Sequence, residues 1–183
     1  MSARFTTTFD PDSLPSDARE VHDRILRERG YVPGPYRFWL ASPGFADRIE
    51  PVEEFLRYGV ALEERQVEVI VLVVARHWTS QYVWSSHAPA ALKVGVEAEV
   101  VEAIRTRATA QFERDEDAVC YALCKALLED HVVDDPLWAR AQAVLGEQRI
   151  NEIMGLLGLY TSVCLTMVAY RMPTKNDEPN PLN

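Results

Sequence analysis

Apolar residues recur at helical spacing along most of the chain, and proline and glycine separate the segments. Ala18, Val21 and Ile25 are three or four residues apart, the spacing that places side chains on one face of an α-helix. Gly30 follows them, as is typical of a helix C-terminus. The same reasoning predicts an all-α fold of many helices, over residues 16–30, 42–58, 80–92, 97–105, 114–128, 135–145 and 148–171.

Residues 65–78 contain an almost unbroken apolar run, and its hydrophobic pattern does not show whether it forms a helix or a strand. Its β-branched side chains favour a strand, but no second run of similar quality is present to pair with it. An isolated strand would leave its backbone N–H and C=O groups unpaired. We therefore predict that this run is a buried helix.

Residues 153–170 contain no charged side chain, and this length of 18 residues reaches the lower limit for a membrane span. Gly155, Gly158 and Thr161 lower the hydrophobicity of the segment, and no other segment resembles a span. We expect a central helix that the rest of the fold or another subunit covers, and no partnership with a membrane.

The length, the net charge and the residues near the start of the chain limit which kinds of protein this can be. A chain of 183 residues has the length of one domain, which we assign to residues 1–183 with an irregular lead-in at 1–15 and a mobile tail at 173–183. A net charge of −9 excludes nucleic-acid binding that depends on Lys and Arg. No apolar signal segment is visible near the start, so the expected compartment is the cytoplasm.

Glu68 is the most informative polar residue, because it lies inside the apolar run of residues 67–75. A buried carboxylate must be paired, hydrogen-bonded or protonated. Such a carboxyl group is suited to general acid–base chemistry near neutral pH. The alternative is a structural carboxylate that bonds a neighbouring helix or an arginine such as Arg65.

His87 lies in a stretch that is dense in aromatic and hydroxyl side chains. Pro89 cannot donate a hydrogen bond to the carbonyl of Ser85, so the helix is locally opened beside His87. Imidazole titrates nearest to neutral pH and is the usual proton shuttle. The alternative is a packed histidine with only structural hydrogen bonds.

Other candidates have structural interpretations that are at least as good. His77 lies at the end of a predicted helix and is a weaker catalytic candidate than His87. The spacing of Glu68, His77 and His87 does not match that of known metal-ligand pairs, so no metal site is expected. Aromatic side chains near His87 could line a pocket or pack in the core. They are Trp78, Tyr82 and Trp84.

Three cysteines cannot form a fully paired disulfide framework. Cys120 and Cys124 are four residues apart on a predicted helix, where the parallel side chains give a poor disulfide geometry. Core packing is the expected role of this pair, and Cys164 is expected to be inert in the long C-terminal helix.

The order of Glu68, Ser80, Val83 and His87 resembles a pattern of the carboxymuconolactone decarboxylase family, which is related to alkyl hydroperoxidase D. In the peroxidase branch of that family a Glu is followed by Cys-x-x-Cys-x-x-x-His. Glu68 falls on the Glu and His87 on the His, while Ser80 and Val83 fall on the two cysteines. The resemblance covers most of the chain and is strongest over residues 62–104.

The resemblance implies an all-helical fold that assembles as trimers or hexamers, with an active site near the Glu/His pair, and we expect no metal or organic cofactor. Peroxide reduction needs a thiolate and a resolving partner, which Ser80 and Val83 do not supply. We therefore expect a decarboxylase-like lyase that acts on a small carboxylated or lactone-type substrate. Glu68 would polarise His87, and His87 would move a proton to or from the substrate. The residues expected to bind that substrate are Ser80, Tyr82, Val83 and Trp84.

Two alternatives stay open at this point. The first is a thiol-dependent redox protein, of the antioxidant or peroxidase type, in which Cys120 and Cys124 replace the missing pair. The second is a non-catalytic helical scaffold that binds a ligand on the same fold, because a fold does not determine a function.

Overall fold

Helices make up all the regular secondary structure in residues 9–175 and 179–182, which are the residues that the computed structural model describes. The predicted all-α fold class is confirmed. The α-helices are α1 (Ser16–Arg29), α2 (Tyr36–Trp39), α3 (Pro43–Glu54), α4 (Glu64–His77), α5 (Gln81–Lys93), α6 (Ala98–Thr106), α7 (Asp115–Lys125), α8 (Asp135–Val144) and α9 (Gly146–Ala169). A 3-10 turn (Pro11–Ser13) lies in the predicted lead-in, and two π-helices (Phe55–Gly59 and Ala126–Asp130) follow α3 and α7.

The chain groups into two compact units, residues 1–59 and 60–183. The first unit contains α1 to α3, and the second contains α4 to α9. The assignment of one domain to residues 1–183 stays a prediction.

In the first unit, α1 packs against α3, and ion pairs join the two helices. Gly30 ends α1 with φ of 75° and donates its N–H to the carbonyl of Leu26, a conformation that glycine adopts without strain. Arg24 of α1 reaches Asp47 and Glu50 of α3. The predicted start at Ser42 and Pro43 is confirmed, and Pro43 opens the helix at its first turn.

In the second unit, α4 is the central helix. Every residue from position 66 to position 75 is buried, and α4 packs on α5, α6, α7 and α9. Each fully buried Val, Leu or Ile contributes roughly 1.5–3 kcal/mol of favourable burial. The run that favours a strand by propensity is therefore a helix, as predicted, because four neighbouring helices cover all of its faces.

The N-terminal ends of α4 and α7 are joined by a buried ion pair. Arg65 Nε lies 2.7 Å from Asp117 Oδ2, and Asp117 is completely buried. The same guanidinium donates to both carboxylate oxygens of Glu97, which precedes α6. Arg65 therefore holds three helices of the second unit together.

Residues at the end of the chain pack on α5. Thr174 and Leu182 are buried, the backbone N–H of Leu182 donates to Gln81 Oε1 over 3.0 Å, and the N–H of Lys175 donates to Ser85 Oγ over 3.0 Å. A mobile tail at 173–183 stays a prediction, but these contacts argue against it for the residues concerned. The buried side chain of Leu182 and the hydrogen bonds to Gln81 and Ser85 hold these residues on α5, although the segment is polar and rich in proline.

One helix among the described residues, α9, is long and apolar enough to cross a membrane by length and composition. Half of its apolar window is buried inside the protein. The rest of the fold therefore covers one face of α9, in line with the expectation of a helix that is covered by the protein.

Replacing Arg65 with alanine should destabilise the fold strongly. The substitution leaves Asp117 buried without its cation, and breaking a buried pair in this way costs about 3–5 kcal/mol. Urea denaturation followed by circular dichroism measures the change. Arg140→Ala is the matched control, because Arg140 pairs with Asp115 on the surface and such pairs contribute about 1 kcal/mol or less. Equal losses for the two variants would contradict this account of the buried pair.

Candidate functional site

Glu68 and His87 meet between α4 and α5. Glu68 is 4% exposed, and its Oε2 lies 2.8 Å from His87 Nδ1. Because a carboxylate oxygen only accepts hydrogen bonds, we assign the shared proton to Nδ1 of the imidazole. The contact satisfies the buried carboxylate and also fixes the orientation of the histidine ring.

The other ring nitrogen of His87, Nε2, is available to act as an acid or a base. Nε2 makes no hydrogen bond within the described part of the chain, and the side chain of His87 is 18% exposed. Tyr160 of α9 packs edge-to-face against the imidazole, with ring centroids 5.4 Å apart and an interplanar angle of 90°. A carboxylate on Nδ1 and a packed ring at the side leave a positioned base or acid at Nε2.

Three of the four predicted substrate-binding residues share the His87 face of α5. Ser80, Val83 and Trp84 precede His87 by seven, four and three residues, which places them along one side of the helix. All three are buried. Tyr82 lies about 140° around the helix from His87, beside Ser85, whose hydroxyl donates to the Tyr82 carbonyl. Helical spacing thus places Ser80, Val83 and Trp84 on the His87 side of α5 and Tyr82 on another side, and substrate binding by these four residues stays a prediction.

Sequence reasoning missed two residues of α9 that complete this region. Tyr160 contacts His87, and Cys164, one turn later, interacts with Ser80. Ser80 Oγ is buried and has no hydrogen bond of standard geometry. The spacing of Tyr160 and Cys164 shows that they share a face of α9, but only the packing of α5 on α9 shows which residues they meet.

Burial makes the thiol of Cys164 a poor nucleophile. It raises the pKa of this thiol to about 12, and the nearby hydroxyl of Ser80 only partly opposes the rise. A thiol in this state is protonated at neutral pH, and the thiolate is the reactive form. The prediction that Cys164 is inert agrees with this environment.

Cys120 and Cys124 lie on α7 and are both completely buried. A hydrogen bond between the Cys124 thiol and Cys120, together with burial, raises the pKa of the Cys124 thiol well above its usual value. The expected core packing of this pair agrees with the structure. Full burial argues against a thiol-dependent redox protein that uses these two residues.

His77 is separate from the Glu68–His87 pair. It ends α4 and packs edge-on against Trp78, with ring centroids 5.2 Å apart. Burial and the nearby Arg107 lower the pKa of its imidazole. Trp78 donates its indole N–H to Thr161 Oγ1 of α9 over 3.4 Å. Among residues 9–175 and 179–182, no three His, Cys, Asp or Glu side chains form a group that could hold a metal ion.

The fold is similar to those of several solved structures. An uncharacterized peroxidase-related protein of Ralstonia eutropha JMP134, described as an alkylhydroperoxidase AhpD core, has a TM-score of 0.75 and 12% identity, with 96% of this chain and 93% of that chain covered. An uncharacterized peroxidase-related protein of Silicibacter sp. TM1040 has a TM-score of 0.73 and 14% identity, with the same coverage.

A third similar structure is that of the debrominase Bmp8, in a cysteine-to-alanine variant bound to 2,3,4-tribromopyrrole. Its TM-score is 0.71 at 14% identity, and 98% of this chain and 96% of that chain are covered. No family model and no curated protein sequence matches the chain. These comparisons show an AhpD-like fold and do not show membership of the carboxymuconolactone decarboxylase family.

The buried thiols lead to a direct prediction. In the native protein at pH 7.5, an aromatic disulfide reagent should modify no cysteine rapidly, because a buried and protonated thiol does not attack. After denaturation in guanidinium chloride all three cysteines should react. Absorbance of the released thiolate measures both states. A rapidly reacting cysteine in the folded protein, or consumption of added peroxide by it, would revive the thiol-dependent alternative.

Proposed function

We propose that this protein is a cofactor-independent enzyme of the decarboxylase type, in which Glu68 and His87 move a proton on a small carboxylated or lactone-type substrate. The hydrogen bond of 2.8 Å between Glu68 and His87 is the observation that carries the proposal. A buried carboxylate that orients an imidazole, with the second ring nitrogen unused, is a common arrangement for general acid–base catalysis.

In the proposed reaction His87 acts at the carbon that loses the carboxylate. The bond between that carbon and the carboxylate breaks, carbon dioxide leaves, and the electron pair stays on the substrate as an enolate. Protonated His87 then donates the Nε2 proton to this carbon and becomes neutral. A proton from solvent restores the imidazolium before the next turnover, so the reaction consumes no oxidant or reductant.

Glu68 positions His87 and stabilises its charged form. The Glu68 carboxylate accepts a hydrogen bond from Nδ1–H throughout the reaction, and this bond keeps the ring from rotating, so Nε2 points in one direction. When the imidazolium forms, the negative charge lies 2.8 Å from the ring, next to the buried apolar residues 69–75 of α4. An ionic contact is stronger in such a low-dielectric environment than in water.

The residues around the pair support a small substrate and a reaction without thiols. Val83 and Trp84 supply apolar surface on the His87 side of α5, and Ser80 supplies a hydroxyl group that lacks a standard hydrogen bond. The debrominase with a similar fold binds a small halogenated ring, which is compatible with a small cyclic ligand here. We also propose that the protein forms a homo-oligomer and that it is located in the cytoplasm.

The test is a pair of substitutions assayed on a panel of γ-lactone carboxylates and β-keto acids, with carbon dioxide release as the signal. His87→Ala should lower kcat by about 10²–10⁴-fold, the usual contribution of a positioned acid or base. Glu68→Gln should also lower kcat, since the amide keeps the volume but not the charge. His77→Ala is the matched control and should leave kcat unchanged, because His77 does not contact the pair.

The fold of each variant is checked by circular dichroism before the assay. Full turnover by a folded His87→Ala variant would show that the proposed mechanism is wrong. Failure of the wild-type protein to release carbon dioxide from any compound in the panel would favour the non-catalytic scaffold.

A further inference from the structure

A small cavity with a net positive charge lies at the C-terminal end of α4. Its volume is about 20 Å³, and helices α4, α6 and α7 border it. Val73 and Ile104 form an apolar part of its wall. The charged side chains of the wall are Arg76, Arg107, Lys125 and Glu129. Three cations and one carboxylate therefore surround this space, in a chain whose net charge is −9.

Backbone and hydroxyl groups hold the guanidinium group of Arg76 in place. Its Nε donates to the carbonyl of Arg105 over 2.7 Å, and its Nη1 donates to Thr79 Oγ1 over 3.3 Å. Arg107 donates from Nη2 to the carbonyl of Arg76 over 3.1 Å. Within the described residues these contacts use two of the five N–H donors of Arg76 and one of those of Arg107. The other donors are open to a ligand.

Neither of these two guanidinium groups has a carboxylate partner in the part of the chain that the structure describes. Burial lowers the pKa of Arg76, and the charges of Arg107 and Arg105 lower it further. Arg105 itself pairs with Glu102 over 2.7 Å. Arg76 and Arg107 are thus like charges whose partners are neutral, so a bound anion would stabilise this arrangement.

We propose that this cavity binds one monatomic anion of the size of chloride, between Arg76, Arg107 and Lys125. A cavity needs about 10–15 Å³ to hold one water-sized particle, so this space fits a single halide ion and is too small for a tetrahedral oxyanion such as sulfate. A water molecule in the same place would not compensate the charge. The site is independent of the proposed reaction, because Glu68 precedes Arg76 by eight residues, about 12 Å along the helix axis.

Lys125 contributes to the site from α7. Its Nζ pairs with Glu129 over 3.2 Å and lies 5.8 Å from the centre of the Tyr121 ring. An ammonium group has three N–H donors, so Lys125 can keep its contact with Glu129 and also bind an anion. Its side chain is 34% exposed, so its stem can adjust to a ligand without disturbing the core.

His77 borders the same cavity and reports on its occupancy. Burial and the charge of Arg107 lower the pKa of its imidazole. The titratable and charged groups that face this ring are Arg76, Arg107, Tyr121, Lys125, Glu129 and His131. A bound chloride ion adds a negative charge to this set, so it should raise the pKa of His77. By linkage, chloride should then bind more tightly when the pH is low enough to protonate His77.

A pH titration of the full chain by nuclear magnetic resonance tests the proposal in sodium chloride, sodium gluconate and sodium sulfate at equal ionic strength. The pKa of His77 should be higher in chloride than in the other two salts, because gluconate and sulfate do not fit the cavity. The His77 signal is assigned from the spectrum of a His77→Gln variant. His22 is the internal control and should titrate alike in all three salts, because it belongs to the first unit and does not line the cavity.

Arg107→Gln and Lys125→Met each remove one cation from the wall of the cavity. For each variant, the chloride concentration that gives half of the change in the pKa of His77, relative to gluconate, should rise at least tenfold, since a hydrogen bond to a charged group is lost. The matched control is Arg140→Gln. Arg140 pairs with Asp115 and does not line the cavity, so this variant should respond to chloride like the wild-type protein. Circular dichroism checks the fold of each variant.

The proposal fails if the pKa of His77 is the same in chloride and in gluconate. It also fails if all three salts raise this pKa equally, which would indicate general screening, or if sulfate acts more strongly than chloride, which would indicate an oxyanion site. A folded Arg107→Gln variant and a folded Lys125→Met variant that both keep the wild-type response to chloride would overturn it as well.

Discussion

The burial of Glu68 inside an apolar helix is the constraint on which the second unit depends. A carboxylate removed from water needs a donor at close range, and Arg65, the cationic side chain of α4 one turn before Glu68, pairs with Asp117 and Glu97 instead. His87 supplies the donor from α5. This hydrogen bond links α4 to α5, and it also orients the ring of His87.

Helix α9 supports this arrangement from the side. Tyr160 packs against the imidazole, and Cys164 meets Ser80 one helical turn further along. Both contacts fall on the α5 face that carries His87. The cysteine positions of the peroxidase pattern are thus occupied by a hydroxyl and an apolar side chain, next to a thiol that burial keeps protonated, so acid–base chemistry is the better supported use of the site.

The ends of α4 are stabilised by different means. At its N-terminus, Glu63 and Gln66 form a capping box, and Arg65 compensates the buried charge of Asp117. At its C-terminus, the carbonyl of Arg76 accepts a hydrogen bond from Arg107. Cations near a helix C-terminus also interact favourably with the helix dipole. These contacts place the rigid helix that carries Glu68 without involving Glu68 itself.

The sequence by itself determined that the chain is helical, that residues 65–78 form a buried helix, and that Glu68 and His87 are the polar residues most suited to chemistry. These conclusions depend on local spacing and on the cost of burying charge, which a linear pattern contains. Only the tertiary structure decided that the two side chains meet, that Tyr160 and Cys164 border the site, and that Leu182 packs on α5. Each of these depends on which faces of distant helices pack together, and many small packing contributions decide that together.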